Sequence, residues 1–254
     1  VSIGMQSAVP SVLTTLERSH NPEAVSLAVA SAKQAGLEVS LDLIYGTPGE
    51  TLEDWQTSLE AAISLEPGHI SAYALIVEEG TALERKIRRG EFPIPDDDLE
   101  ADMYELADQT LVEAGFQWYE VSNWAKSPAQ QSVHNLTYWQ GNDWWGYGPG
   151  AHSHIGGTRF WNVKHPNAYK ERVFAGESPI KDSEVLTDEQ KKSEYIMLAI
   201  RMPEGVRKAA LTVAQYERTM EYIKSGHVID REDAIALTPK GRLIADRITQ
   251  EMLA

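Results

Sequence analysis

The chain has 254 residues, no cysteine, and 23 basic against 38 acidic side chains, a formal net charge of −15. That balance excludes a surface that tracks nucleic-acid phosphates or seeks anionic lipid. The missing thiols exclude disulfides, thiolate metal sites and cysteine nucleophiles among these residues.

No run approaches the roughly 20 apolar residues of a membrane helix, and no leader pattern is visible, so a cytoplasmic protein without an integral membrane segment is expected. Val1 to Gln6 alternates Val1, Ile3 and Met5 with Ser2, Gly4 and Gln6, which predicts a strand. A chain that opens in mid-strand is expected to lack an N-terminal part and to leave a strand edge unpaired. Pro10 to Leu16 reads as a short helix. Asn21 as cap and Pro22 at the first helical position open a second, with Val25, Ala28, Val29 and Ala32 at helical spacing before Gly36.

Glu38 to Tyr45 is the next strand, with Val39, Leu41 and Leu43 on one face and Ser40, Asp42 and Ile44 on the other. Gly46-Thr47-Pro48-Gly49 is a turn. Thr51 and Asp54 make a capping box for a helix with the stripe Trp55, Leu59, Ala62 and Ile63, and Ile70 to Val77 is a third strand. This β, α, β, α, β order predicts parallel strands in one sheet. Gln6 and Asp42 then fall near strand C-termini, on the face away from the helices, where α/β folds bind ligands. A carboxylate satisfied by a neighbouring loop is the alternative for Asp42.

From Gly80 to Gly90 runs a short basic helix, most simply a solvated face, and Glu91 to Pro95 is a stiff connector. Asp96 to Asp98 cap a helix carrying Leu99, Met103, Leu106 and Leu111, closed by Gly115, and Phe116 to Ser122 is another strand. Val133 to His154 follows, with three histidines (His134, His152, His154), four glycines and a dense run of indoles and phenols, a composition that predicts a shaped loop. Six of the seven tryptophans lie between Trp118 and Trp161, so the flat surfaces are concentrated here. Flat rings beside imidazoles suit haem; a buried aromatic cluster closing over a core fits the same composition.

From about Asp182 aromatics thin out. Thr187 and Gln190 cap a helix to Ile200, helical segments follow from Lys208 and from Glu217 to Ser225, Val228-Ile229 pairs with Ala234 to Leu237 as a hairpin, and Thr238-Pro239 starts a last helix. The layout is winged-helix-like, but without a basic face it reads as a packing or partner domain, not a nucleic-acid reader.

Three stretches, Ser2-Ile3-Gly4-Met5-Gln6-Ser7, Leu41 to Thr51 and His69-Ile70-Ser71-Ala72-Tyr73, resemble later strands of the radical S-adenosylmethionine proteins related to oxygen-independent coproporphyrinogen III oxidase. His134-Asn135-Leu136-Thr137-Tyr138-Trp139 and Gly148-Pro149-Gly150-Ala151-His152-Ser153 are similar to its haem-chaperone, HemW-like, branch. The resemblance implies an α/β chain holding the later strands of a partial (β/α)6 barrel, followed by an α+β, winged-helix-like C-terminal domain. It places the barrel at 1–115, the haem-motif region at 116–180 and the helical domain at 181–254. By position, Gln6, Arg18, Asp42, Ile76 and His152 match S-adenosylmethionine contacts, with a surface ion-pair residue as the alternative reading of Arg18. His134, Asn135, Tyr138 and Trp139 match the haem motif, with His134 as the first candidate for iron; His152 and His154 come next, although His154 also reads as a turn cap.

The resemblance carries a departure. The family's Cys-x3-Cys-x2-Cys loop for a [4Fe-4S] cluster is absent, so that cofactor belongs only to a longer parent and this chain alone is expected to be inactive as a radical enzyme. The implied function is binding haem and delivering it to haem-accepting proteins, with coproporphyrinogen oxidation as the alternative. A homodimer is compatible with the sequence.

Overall fold

A computed structural model describes all residues, 1–254, and divides the chain into two compact units, 1–131 and 132–254. The boundaries expected from sequence fall after residues 115 and 180.

The first unit runs β1 (Ser2–Gln6), α1 (Pro10–Thr15), α2 (Pro22–Gln34), β2 (Ser40–Tyr45), α3 (Leu52–Ser64), β3 (His69–Ala74), α4 (Ala82–Arg88), α5 (Asp97–Glu113), β4 (Gln117–Glu120) and β5 (Asn123–Ala125). Local chemistry sets the helix starts. The Asn21 side chain accepts from the Ala24 amide at 2.9 Å, with Pro22 in the first turn. Thr51 and Asp54 complete their reciprocal cap at 3.0 and 3.1 Å, and Asp96 accepts from the amides of Asp98 and Leu99.

The sheet has the order β1-β2-β3-β5-β4, with β1, β2 and β3 parallel and β1 at one edge. Its two faces differ in kind. Leu41, Leu43, Ile70, Ala72 and Trp124 are fully buried together with Trp55, Leu59, Met103, Ala107 and Leu111 of α3 and α5. The opposite face carries Gly4, Asp42, Ser71 and Asn123 side by side in register. Two buried indoles tie down the helix layer: Trp55 Nε1 donates to Met103 O and Trp124 Nε1 to Asp108 Oδ1, each at 2.8 Å.

The sheet departs from expectation at its far end. The strand expected over 116–122 is β4, and it is followed by an unexpected second strand, β5, in a hairpin with Trp118 opposite Trp124; β5 runs antiparallel to β3. A two-residue connection can join only antiparallel strands, so the parallel pattern stops where the crossover helices stop. Val1, expected on the Ile3 and Met5 face, is 57% exposed, whereas Met5 is buried.

The second unit runs α6 (Val133–Trp139), β6 (His152–Ile155), β7 (Thr158–Asn162), α7 (Pro166–Phe174), β8 (Ile180–Val185), α8 (Asp188–Ala199), β9 (Val206–Arg207), α9 (Val213–Arg218), α10 (Met220–Lys224), β10 (Val228–Asp230), β11 (Ala234–Leu237), α11 (Pro239–Arg242) and α12 (Ala245–Leu253). Strands β6, β7 and β8 form an antiparallel meander that the sequence reading did not anticipate. The hairpin expected at 228–237 is present, widened by β9 into a three-stranded sheet over a core of Ile196, Ile200, Val206, Ile235, Ile248 and Met252. Gly205 makes that joint: at φ +72 its missing Cβ would overlap the Ile235 carbonyl oxygen. The last helix, expected to be continuous, breaks between Arg242 and Ala245.

Trp55→Ala removes a fully buried indole and its hydrogen bond to the Met103 carbonyl. A loss of roughly 3–5 kcal/mol is expected, measured as a lowered midpoint in urea unfolding.

Candidate functional site

The polar face of the first sheet ends in a depression of about 410 Å³ lined by Gln6, Asp42, Ile44, Tyr73, Ala74, Leu75 and Ile76. Three of the five residues matched to S-adenosylmethionine contacts, Gln6, Asp42 and Ile76, therefore lie at one place. Gln6 reaches it through a local irregularity. The β1–β2 register shifts between Gly4 and Gln6, and Gln6 has φ +65, outside strand geometry. Its amide folds back over Gly4, where a Cβ would stand 2.6 Å from Nε2, so glycine in that position makes room for the side chain. Asp42 lies opposite Gly4 and accepts from the Ser2 hydroxyl.

Ile44, Tyr73 and Leu75 were not read as site residues. The signal was present for the first two: Ile44 shares the two-residue period of Asp42, and Tyr73 is its partner in register on β3. Arg18 does not line the depression; it is exposed and follows Glu17, which has φ +55. His152 belongs to the second unit.

Below Asp42 on the same face, His69 is buried between two hydroxyls, with Nδ1 2.7 Å from Ser40 Oγ and Nε2 2.6 Å from Tyr119 OH. Burial pushes its pKa down to about 4 against the opposing pull of the Asp42 charge. In the turn after β2, Glu50 is buried and Oε2 accepts from the Thr47 amide at 3.0 Å. Burial pushes this carboxyl up to about 7; the Thr47 amide opposes the rise and the Asp54 charge adds to it.

The second cluster corrects the sequence reading. Val133–Trp139 is a helix, not a shaped loop, because Ser132 caps it by accepting from the Asn135 amide and its side chains pair at four-residue spacing. His134 Nε2 lies 3.0 Å from Tyr138 OH, and the Tyr138 ring meets Trp144 edge-on at 5.0 Å. Trp144 is fixed by paired backbone bonds with His154, 2.8 and 2.9 Å. His154 is thus part of β6 and not a turn cap, and its Nε2 is buried. His152 stacks on its cross-strand partner Trp161 at 5.7 Å.

His134 is exposed, whereas Asn135 and Trp139 are half-buried. Among the tyrosines and tryptophans of residues 133–154 the most open to solvent are Tyr147, 85% exposed, and Trp145, 56%, the latter packed edge-on against Phe160. Trp145 and Tyr147 were noted only as part of the aromatic run; exposure, which separates them from Trp139, is set by tertiary packing.

No group of three or more His, Cys, Asp or Glu side chains is arranged to hold a metal ion, and with no cysteine in the chain its residues do not fit a [4Fe-4S] cluster. No helix is long and apolar enough to cross a membrane.

No protein-family model matches the chain. The haem chaperone HemW of Bacillus subtilis is 33% identical over 258 residues, covering 98% of this chain and 68% of that protein. The chain belongs to the HemW haem-chaperone family. HemW of Mycobacterium tuberculosis is 47% identical over the whole chain, which spans 65% of that relative's length. Escherichia coli coproporphyrinogen III oxidase, HemN, described as a radical SAM enzyme, superimposes with a TM-score of 0.80 over 99% of this chain and 63% of its own. At 20% identity that likeness shows the fold alone, an α/β chain with a mixed sheet and helices.

The two buried titrating groups act on stability in opposite directions. His69, lowered from 6.5 to about 4, contributes stability that is full above 6.5 and is lost as pH falls toward 4. Glu50, raised from 4.5 to about 7, contributes stability that is full below 4.5 and is lost as pH rises toward 7. Between 4.5 and 6.5 the two slopes offset, each at most about 1.4 kcal/mol per pH unit. Urea midpoints measured across that window should fall with rising pH in His69→Gln and rise with it in Glu50→Gln.

Proposed function

We propose that this chain supplies the haem-binding part of a haem chaperone, that it delivers haem to acceptor proteins, and that its first unit binds S-adenosylmethionine. The observation that carries the haem reading is the exposed imidazole of His134 on α6, set beside Tyr138 and Trp144, in a chain of the HemW family. A single neutral imidazole suffices as an axial ligand, and the neighbouring rings offer flat apolar surface to a porphyrin face. Asn135 and Trp139 are assigned to the support of that motif, and His152 and His154 are the alternatives for iron.

The rim depression suits an amphiphilic nucleoside. The Gln6 amide and Asp42 carboxylate provide polar contacts for ribose hydroxyls and the amino-acid end, while Ile44 and Ile76 provide apolar surface for the base. Arg18 and His152, matched to the same cofactor by resemblance, are not among the residues that line the depression. Bound next to a reduced cluster, S-adenosylmethionine supplies a carbon radical; with no thiolate in this chain, its residues bind and orient the cofactor and no radical step is assigned to them.

Two titrations test the reading. His134→Ala should weaken hemin binding at least tenfold and shift the Soret band, read by absorbance; retention of the parent spectrum would remove His134 as ligand. Asp42→Asn should weaken S-adenosylmethionine binding roughly tenfold in calorimetry, about 1.4 kcal/mol, while hemin affinity stays unchanged. Turnover of coproporphyrinogen by the full-length protein under anaerobic, reducing conditions would favour the oxidase reading instead.

A further inference from the structure

The nitrogen best placed to meet iron is already engaged. His134 Nε2 lies 3.0 Å from Tyr138 OH, one helical turn away, and the phenol ring is held on its other side by Trp144 at 5.0 Å. The imidazole itself is exposed, so solvent, and anything flat arriving from solvent, can reach it. In an imidazole Nδ1 is bonded to the ring carbon that carries Cβ and is the more hindered nitrogen; Nε2 is the outer one. A neutral imidazole whose Nε2 accepts a hydrogen bond carries its proton on Nδ1, the tautomer that leaves Nε2 with the lone pair iron requires.

We infer that Tyr138 is a latch on His134: its phenol O–H donates to the Nε2 lone pair in the haem-free protein and must leave before that nitrogen can bind iron. The inference rests on the reading of His134 as iron ligand. In the exchange the O–H···N hydrogen bond breaks and an N–Fe bond forms; the phenol keeps its proton and no electron moves. The latch therefore fixes the ligating tautomer at a cost in affinity. Its removal is worth the net strength of one hydrogen bond between neutral groups, roughly two- to tenfold in binding. Trp144 keeps the Tyr138 ring in place, so deleting only the hydroxyl isolates this effect.

The test uses hemin as probe, stopped-flow absorbance at the Soret band, and 15N NMR of the histidine rings in the haem-free protein. Tyr138→Phe is expected to bind hemin two- to tenfold more tightly and to move the His134 Nε2 resonance toward the unbonded position. Adding Tyr138→Phe to His134→Ala should change nothing further. If Tyr138→Phe binds hemin equally or more weakly while His134→Ala still abolishes the haem spectrum, the latch is overturned and the ligand reading stands. If His134→Ala leaves the spectrum intact, the ligand reading falls and the latch with it. An unshifted Nε2 resonance in Tyr138→Phe also overturns the latch.

Discussion

The first unit depends on one constraint, that its sheet packs helices on one face only. The period of two along β2 sends Leu41 and Leu43 into a fully buried layer with Trp55, Leu59 and Leu111, and this fixes register: a slip of one residue would expose those leucines and bury Asp42. The polar face is a consequence. Gly4, Asp42, Ser71 and Asn123 stand in one row across four strands because their neighbours are held in the core. Each burial that secures the fold thus also aims a polar group at the other face, and Gln6 joins that face only because β1 abandons strand geometry at its last residue.

The second unit positions its chemistry by a different rule. Seven residues are too few for a helix to persist by itself, so α6 depends on its Ser132 cap and on side-chain pairing. The spacing that stabilises it, His134 to Tyr138, is also the spacing that joins imidazole to phenol. Trp144 then links this short helix to β6 through backbone bonds with His154. The aromatic segment is accordingly a short helix whose rings are anchored through a strand, an arrangement in which some rings pack and others stay open.

What was legible in the sequence follows from the range of the interaction concerned. Asn21, Thr51, Asp96 and Thr187 announce their helices because capping is settled within three residues, and each of those caps is formed. The strand at 40–45 declared both of its faces for the same reason. Long-range pairing was not legible. The hairpin of β4 and β5 has no glycine or proline at its Val121-Ser122 turn, and the meander β6–β8 includes a strand, Ile180–Val185, with every residue exposed and hence no apolar alternation to read. The aromatic segment misled in the opposite way: its glycines, Gly141 to Gly150, lie after α6, and their density hid the helix in front of them. For the candidate site, proximity of Gln6, Asp42 and Ile76 to one depression was foreshadowed by strand polarity, while the placement of Arg18 outside it was not.

The absence of cysteine separates two chemistries that the family resemblance joins. Reductive cleavage of S-adenosylmethionine needs a cluster held by thiolates, and no residue of this chain can supply one. Holding haem needs one neutral nitrogen donor and flat apolar surface, and His134, Tyr138 and Trp144 offer both within the second unit. The first requirement resides in sulfur ligands that are not among these residues, the second in a short helix and its aromatic neighbours, so the two chemistries rest on different residues. A haem-binding role asks nothing of the cluster's electrons. It asks for an imidazole nitrogen within reach of solvent, and His134 is exposed, with its Nε2 3.0 Å from the Tyr138 hydroxyl one helical turn away.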